Sequence, residues 1–237
     1  MAAGPFRPPP GPLPGGGGGP PPPPPPPPPP RAAGRSPEEI TRIVVTKFHP
    51  ASLVRDLHAL GVHAVGENRQ QELTAKAGEL SGLDLEWHFI GQGQTNKAAA
   101  IRRSADVVHS VDRDRFADAL HRAAETDEVL DVLIQVNLTE DEGRGGVTPA
   151  SAVALAEHVL GLSSLRLRGV MAVAPLDEDP ARAFARLHHI AADVRTVAPD
   201  ATWISAGMTG DFAEAIAAGA THLRIGSAIT GPRPARG

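Results

Sequence analysis

Eight short apolar runs alternate with helix-patterned stretches through most of this chain, and that rhythm leaves few folds open. The strand-like runs fall at 43–46, 62–65, 86–90, 107–111, 130–137, 167–173, 202–205 and 222–225. Helical periodicity fills 52–59, 70–80, 96–103, 113–125, 149–160, 179–196 and 211–217. Near-continuous apolar strands are those of a parallel sheet covered on both faces. A repeated strand–helix order then gives either a doubly wound sheet or a closed barrel. The count of eight, with candidate site residues after many different strands, favours a single α/β (β/α)8 TIM barrel.

Residues 1–31 stand outside that rhythm. They run through Gly15 to Gly19 into an unbroken Pro20 to Pro30, which has almost nothing to bury, and they read as a disordered Gly/Pro-rich tail. The barrel is expected over 32–237. A net charge of −4 and a pI near 6.2 argue against nucleic acid or an anionic membrane as the main partner. No apolar run approaches the ~20 residues of a membrane helix, and the N-terminus lacks an apolar signal region. With Cys 0 there is no disulfide framework and no thiolate nucleophile. A cytoplasmic monomer is expected.

The chain has three lysines, and Lys47 ends the run Ile43-Val44-Val45-Thr46. The C-terminal ends of barrel strands form the functional face. An amine held beside apolar surroundings loses hydration, its pKa falls, and it becomes able to form a Schiff base. Lys76 lies in a polar helical stretch and reads as a solvated surface residue. Lys97 opens the helical stretch after the third strand, with no strand directly behind it.

Two small-residue turns follow the last two strands: Ser205-Ala206-Gly207-Met208-Thr209 and Gly226-Ser227. Glycine lets backbone approach an anion, and hydroxyls and helix starts supply donors. Barrels often hold phosphate after strands 7 and 8, which places Ser205, Gly207, Gly226 and Ser227 on one. Arg224, inside the strand before the second turn, is costly to bury unpaired and either joins an ion pair or faces a cofactor ring. Asn68 either bonds a cofactor or caps the next helix. His88, between aromatic residues, reads as a packed core residue. The ten histidines show no metal-ligand spacing. Residues 142–146, rich in glycine, read as a mobile loop at the barrel's mouth.

In order, Val44-Val45-Thr46-Lys47, Gly66-Glu67-Asn68, Trp87-His88-Phe89-Ile90-Gly91, Val108-His109-Ser110-Val111-Asp112, Gly207-Met208-Thr209-Gly210-Asp211 and Arg224-Ile225-Gly226-Ser227-Ala228-Ile229 resemble the pyridoxal phosphate homeostasis protein family (YggS/PROSC type). The resemblance runs from residue 32 to about 233. It implies a barrel like the N-terminal domain of alanine racemase, with pyridoxal 5′-phosphate bound as a covalent aldimine to Lys47. By position, Ser205, Gly207, Gly226 and Ser227 then hold the phosphate, Arg224 faces the pyridine nitrogen and Asn68 lies near the ring. It also implies a carrier in cofactor homeostasis, without established catalysis, that serves pyridoxal-phosphate-dependent apo-enzymes. The proline tract stands where the family has a helix before the first strand. Gly93 stands where the family usually has leucine, which removes an apolar contact and is expected to loosen that loop.

Two other functions compete. A barrel-type, racemase-like enzyme acting on amino acids shares this barrel but adds a C-terminal β-domain and uses a tyrosine as second acid/base; here Tyr is 0 and the chain ends shortly after the last strand. An aldolase-like barrel using Lys47 directly on a sugar phosphate explains the lysine and the turns but not the full set of motifs.

Overall fold

The computed structural model describes residues 35–141 and 143–231; the tail expected over 1–31 and Glu142 lie outside the described residues. Eight parallel strands close into one barrel in sequence order: β1 Thr41–Val45, β2 Ala64–Glu67, β3 Glu86–Phe89, β4 Val107–Val111, β5 Leu130–Gln135, β6 Leu165–Met171, β7 Trp203–Ser205 and β8 His222–Ile225. The seam pairs Thr41 with His222 and Val44 with Ile225, while on its other side Val45 pairs with Gly66. Helices α1 Ala51–Ala59, α2 Gln70–Glu79, α3 Ala98–Arg102, α4 Asp114–Arg122, α5 Ala152–Leu160, α6 Pro180–Val197, α7 Phe212–Ala217 and α8 Ser227–Thr230 follow the strands.

The main core lies between sheet and helices. Val65, Phe89, Val108, Ile134, Val170, Ile204 and Leu223 from the strands meet Leu73, Ile101, Phe116, Leu120, Val159, Leu187 and Ile216 from the helices. Each such side chain contributes roughly 1.5–3 kcal/mol on full burial. A second cluster, Val107, Leu133 and Met171 with Trp203, joins strand residues only and fills part of the barrel's inside.

Element boundaries differ from the expectation where glycine or proline intervenes. β2 runs on through Gly66, a residue that ordinarily weakens a strand, paired with Val45 and His88 on its two sides; a Cβ there would come within 2.9 Å of Ile43 Cγ2, so the close approach needs glycine. The stretches expected as helix from 96 and 149 begin with 3₁₀ turns at Thr95–Lys97 and Pro149–Ser151. Beyond β5, residues 143–147 fold back rather than hang as a mobile loop. Gln135 Nε2 donates to the Gly145 carbonyl at 2.8 Å, and Asn137 N donates to that of Val147 at 2.8 Å.

Candidate functional site

β1 ends at Val45, Thr46 extends it by donating its N–H to the Gly66 carbonyl at 3.0 Å, and Lys47 opens a turn. The turn is tight: Phe48 takes φ +69, a left-handed conformation that costs about 1–2 kcal/mol for a residue with a Cβ. Side chains from β2 and α2 hold it. Glu72 Oε2 accepts from Phe48 N at 2.8 Å, and Lys76 Nζ donates to the Thr46 carbonyl at 2.8 Å. Glu67 Oε1 accepts from Thr46 Oγ1 at 2.6 Å and from Lys76 Nζ at 2.5 Å. Both neighbours of Lys47 in the chain are therefore fixed, while its own side chain is only partly buried, with Nζ 5.8 Å from the Phe48 ring centroid.

Lys76 thus corrects the sequence reading. It is 6% exposed, because α2 turns this position inward although its sequence neighbours are polar. A buried ammonium needs a paired anion, and Glu67, fully buried, supplies it. Burial raises the Glu67 carboxyl above its ordinary pKa, outweighing the lowering by the bonds from Lys76 and Thr46. Its second oxygen, Oε2, has no hydrogen-bond partner among the described residues.

The other expected residues gather at the same end of β7, β8, β1 and β2, which are neighbours around the barrel. A Cβ on Gly226 would stand 3.6 Å from Val45 Cβ, so the β8–α8 corner abuts the strand that leads into Lys47. Ser227 is exposed at that corner. Gly207 is buried with φ +91, and a Cβ there would come 2.7 Å from Ala215 Cβ; glycine is needed so that α7 can pack. Its carbonyl accepts from Arg224 N at 2.9 Å, tying the two turns together. Asn68, after β2, is half-buried, and its Oδ1 is buried without a partner among the described residues.

Ser205 and Arg224 are placed differently from the simple expectation. Arg224, 4% exposed, makes no ion pair among the described residues. It donates from Nη1 to Ser205 Oγ at 2.6 Å and from Nη2 to the Ala172 carbonyl at 2.9 Å. Burial pushes its pKa down to about 10, with Asp211 acting weakly the other way. Ser205 is fully buried, and its hydroxyl also lies 2.9 Å from His109 Nδ1. While its hydroxyl proton points at His109, it has none to give a phosphate.

That contact opens a polar column inside the barrel. His109 Nε2 lies 2.9 Å from His88 Nδ1, and His88 Nε2 lies 2.9 Å from Glu86 Oε2. His88 is a core residue as expected, but a hydrogen-bonded one. Desolvation, then unfavourable electrostatics with His88 and Arg224, holds the His109 pKa well below its ordinary value. His222, stacked on Trp203 at 4.2 Å, is lowered to about 3, mainly by burial. The sequence carries no local signal for the column, because its members lie on β3, β4 and β7 and the His109–Ser205 contact joins residues 96 apart; only the inward parity of His88, His109 and Ser205 along their strands hints at it.

Gly93 also departs from expectation. It is buried, a Cβ there would overlap the Phe116 ring, and its carbonyl accepts from Arg113 Nη2 at 2.7 Å. Phe116 fills the space a leucine would take, so the loop is pinned. A cleft of about 510 Å³ between the starts of α2 and α3 takes in Asn68 and Lys97 but none of the other expected cofactor residues. Among the described residues no group of three or more His, Asp or Glu side chains could hold a metal ion, and no helix is long and apolar enough to cross a membrane.

Residues 39–234 match the family model described as alanine racemase, N-terminal domain. Pyridoxal phosphate homeostasis proteins of Pseudomonas aeruginosa and Mycobacterium tuberculosis are 41% and 40% identical to the chain over 207 and 225 residues. These alignments cover 86% of this chain in each case, and 89% and 87% of those proteins. The solved structure of PipY from Synechococcus elongatus with PLP bound is 36% identical, with a TM-score of 0.77, and covers 84% of this chain and 95% of that one.

Proposed function

The chain belongs to the family of pyridoxal phosphate homeostasis proteins, and on that premise we propose that it binds pyridoxal 5′-phosphate and stores, buffers or delivers it. The observation that carries this reading is the clamped Lys47 turn, set between the exposed Gly226–Ser227 corner and Asn68. The residues present fit the cofactor: an amine at a strand end, an orphaned amide oxygen at Asn68, and a buried guanidinium with N–H groups left over. PipY, the relative solved with PLP bound, and the homeostasis proteins named above support the choice of ligand and role.

Bound pyridoxal phosphate supplies an electrophilic aldehyde and an aromatic ring able to accept electron density. In this reading the Lys47 ε-amine would hold the aldehyde carbon covalently, the aldehyde oxygen leaving as water with the two amine protons. Ser205, Gly226 and Ser227 would hold the phosphate, with Gly207 shaping the turn beside them. Arg224 faces the ring nitrogen, and Asn68 Oδ1 accepts a hydrogen bond from the ring's hydroxyl. An arginine with a pKa near 10 stays protonated at neutral pH and can only donate. The ring nitrogen opposite it then stays unprotonated, which makes a poor electron sink and suits a carrier rather than a catalyst. The same reading includes apo-enzymes that require this cofactor as recipients, and a cytoplasmic monomer.

Titration of cofactor-free protein with pyridoxal 5′-phosphate tests the proposal. The expected result is a visible absorbance band saturating at one cofactor per chain, weakened for pyridoxal, and no racemisation of added amino acids. A protein that gains no band refutes binding, and amino acid turnover refutes the carrier role.

A further inference from the structure

We propose that Glu86, His88 and His109 are positioning residues: one carboxylate at the base of the barrel sets the direction of every hydrogen bond up to Arg224, and so decides what Ser205 offers the cofactor. The inference deepens the function proposed above and rests on it for its link to pyridoxal phosphate. The column spans the barrel lengthwise. Glu86 is the first residue of β3, whereas Ser205 is the last of β7. Glu86 keeps 46% of its side chain exposed and lines an open cleft of about 440 Å³ with Asp106, Glu128, Asp131, Arg102 and Arg166.

The direction follows from donor and acceptor chemistry. The Glu86 carboxylate, kept below its ordinary pKa chiefly by the bond to His88, can only accept, so His88 Nε2 donates to it. A neutral His88 then has an acceptor at Nδ1, and His109 Nε2 must donate to it. A neutral His109 in turn has an acceptor at Nδ1, and Ser205 Oγ–H donates there. Ser205 is left with lone pairs alone, one of them taken by Arg224 Nη1. All four bonds point down toward Glu86.

The alternative state is equally defined. If His88 Nδ1 carries a proton, it donates to His109 Nε2, the His109 proton sits on Nδ1 and points at Ser205, and the serine hydroxyl proton is released from His109. One proton at the base thus converts Ser205 from a lone-pair surface into a donor that an anionic phosphate can use. The charged and titratable groups around His88 are Glu86 on its own strand, Asp106 before β4, His109 on β4, Arg168 on β6 and His222 on β8.

Histidine-labelled full-length protein, read by ¹⁵N NMR without cofactor, reports which ring nitrogen carries each proton. The expected result at neutral pH is Nε2–H on both His88 and His109. Glu86→Ala removes the terminal acceptor and is expected to add a population with Nδ1–H on His109. Glu86→Gln retains an acceptor oxygen and is expected to restore the wild-type pattern. In cofactor titrations, Glu86→Ala is expected to change the preference for pyridoxal 5′-phosphate over pyridoxal by about three- to tenfold, the range of one hydrogen bond, while Glu128→Gln in the same cleft leaves it unchanged. If Glu86→Ala does not fold, Glu86→Lys replaces the acceptor with a donor and carries the same expectation. Nδ1–H on His109 in the wild type, or tautomers and preference that ignore residue 86, overturns the relay. Wild-type protein that binds no cofactor sinks the proposed function instead, and the tautomers of the free chain still decide the relay's direction.

Discussion

Lys76 Nζ lies 2.8 Å from the carbonyl oxygen of Thr46, so a helix lysine holds the peptide that leads directly into Lys47. The same ammonium pairs with Glu67, and Glu72 on α2 takes the N–H of Phe48 just beyond. An amine held this way keeps its backbone fixed while its side chain stays only partly buried, the arrangement the proposed covalent anchor needs.

Lys76→Met leaves the Glu67 carboxylate buried without its cation. Breaking a buried pair on one side costs roughly 3–5 kcal/mol, so a large drop in urea midpoint is expected near pH 8. The loss should shrink toward pH 5. The folded variant holds Glu67 protonated at a pH where the unfolded chain has released that proton, so folding gains as pH falls toward the ordinary 4.5. A pH-independent loss contradicts the pairing.

His109 and His222 predict how the fold responds to acid. Both imidazoles are neutral in the folded chain, His222 down to about pH 3 and His109 well below its ordinary value. Below pH 6.5 the unfolded chain takes up protons that the fold refuses, so stability rises with pH across the window from about 3 to 6.5. Each group contributes a slope of up to ~1.4 kcal/mol per pH unit. Denaturation midpoints measured from pH 7 to 4.5 should fall accordingly, and His222→Phe, which keeps a ring against Trp203, should make the slope shallower. An unchanged slope contradicts the burial assigned to His222.

Gly93 and Phe116 should behave as a size-matched pair. Gly93→Leu drives a side chain into the Phe116 ring, and overpacking of that kind costs typically 1–3 kcal/mol. Thermal melts of Gly93→Leu should show that loss, and Phe116→Ala combined with it should destabilise less than the two single changes added together. Strict additivity contradicts the contact.

The barrel was legible because eight buried strands and their helices each leave a local pattern, and closure follows from the count. Lys47 was legible for the same reason, since a strand end is a local feature. Lys76, Glu67 and the Glu86–His88–His109 column were not, because a residue's burial there depends on which way a helix or strand faces once the barrel has closed. Gly207 shows the converse. Its sequence setting suggested an anion-binding turn, while in the fold its missing Cβ makes room for Ala215. Ser205 combined both problems: its position at the turn was readable, but the partners of its hydroxyl, on β4 and β8, were not.

The proposed anchoring of the cofactor by Lys47 is tested most directly by borohydride reduction of protein loaded with pyridoxal 5′-phosphate, followed by proteolysis and peptide mass mapping. The account predicts one added cofactor mass on the peptide containing Lys47, and none in Lys47→Ala. Label on Lys76 or Lys97 instead, or a loaded protein that keeps no label after reduction, would contradict it.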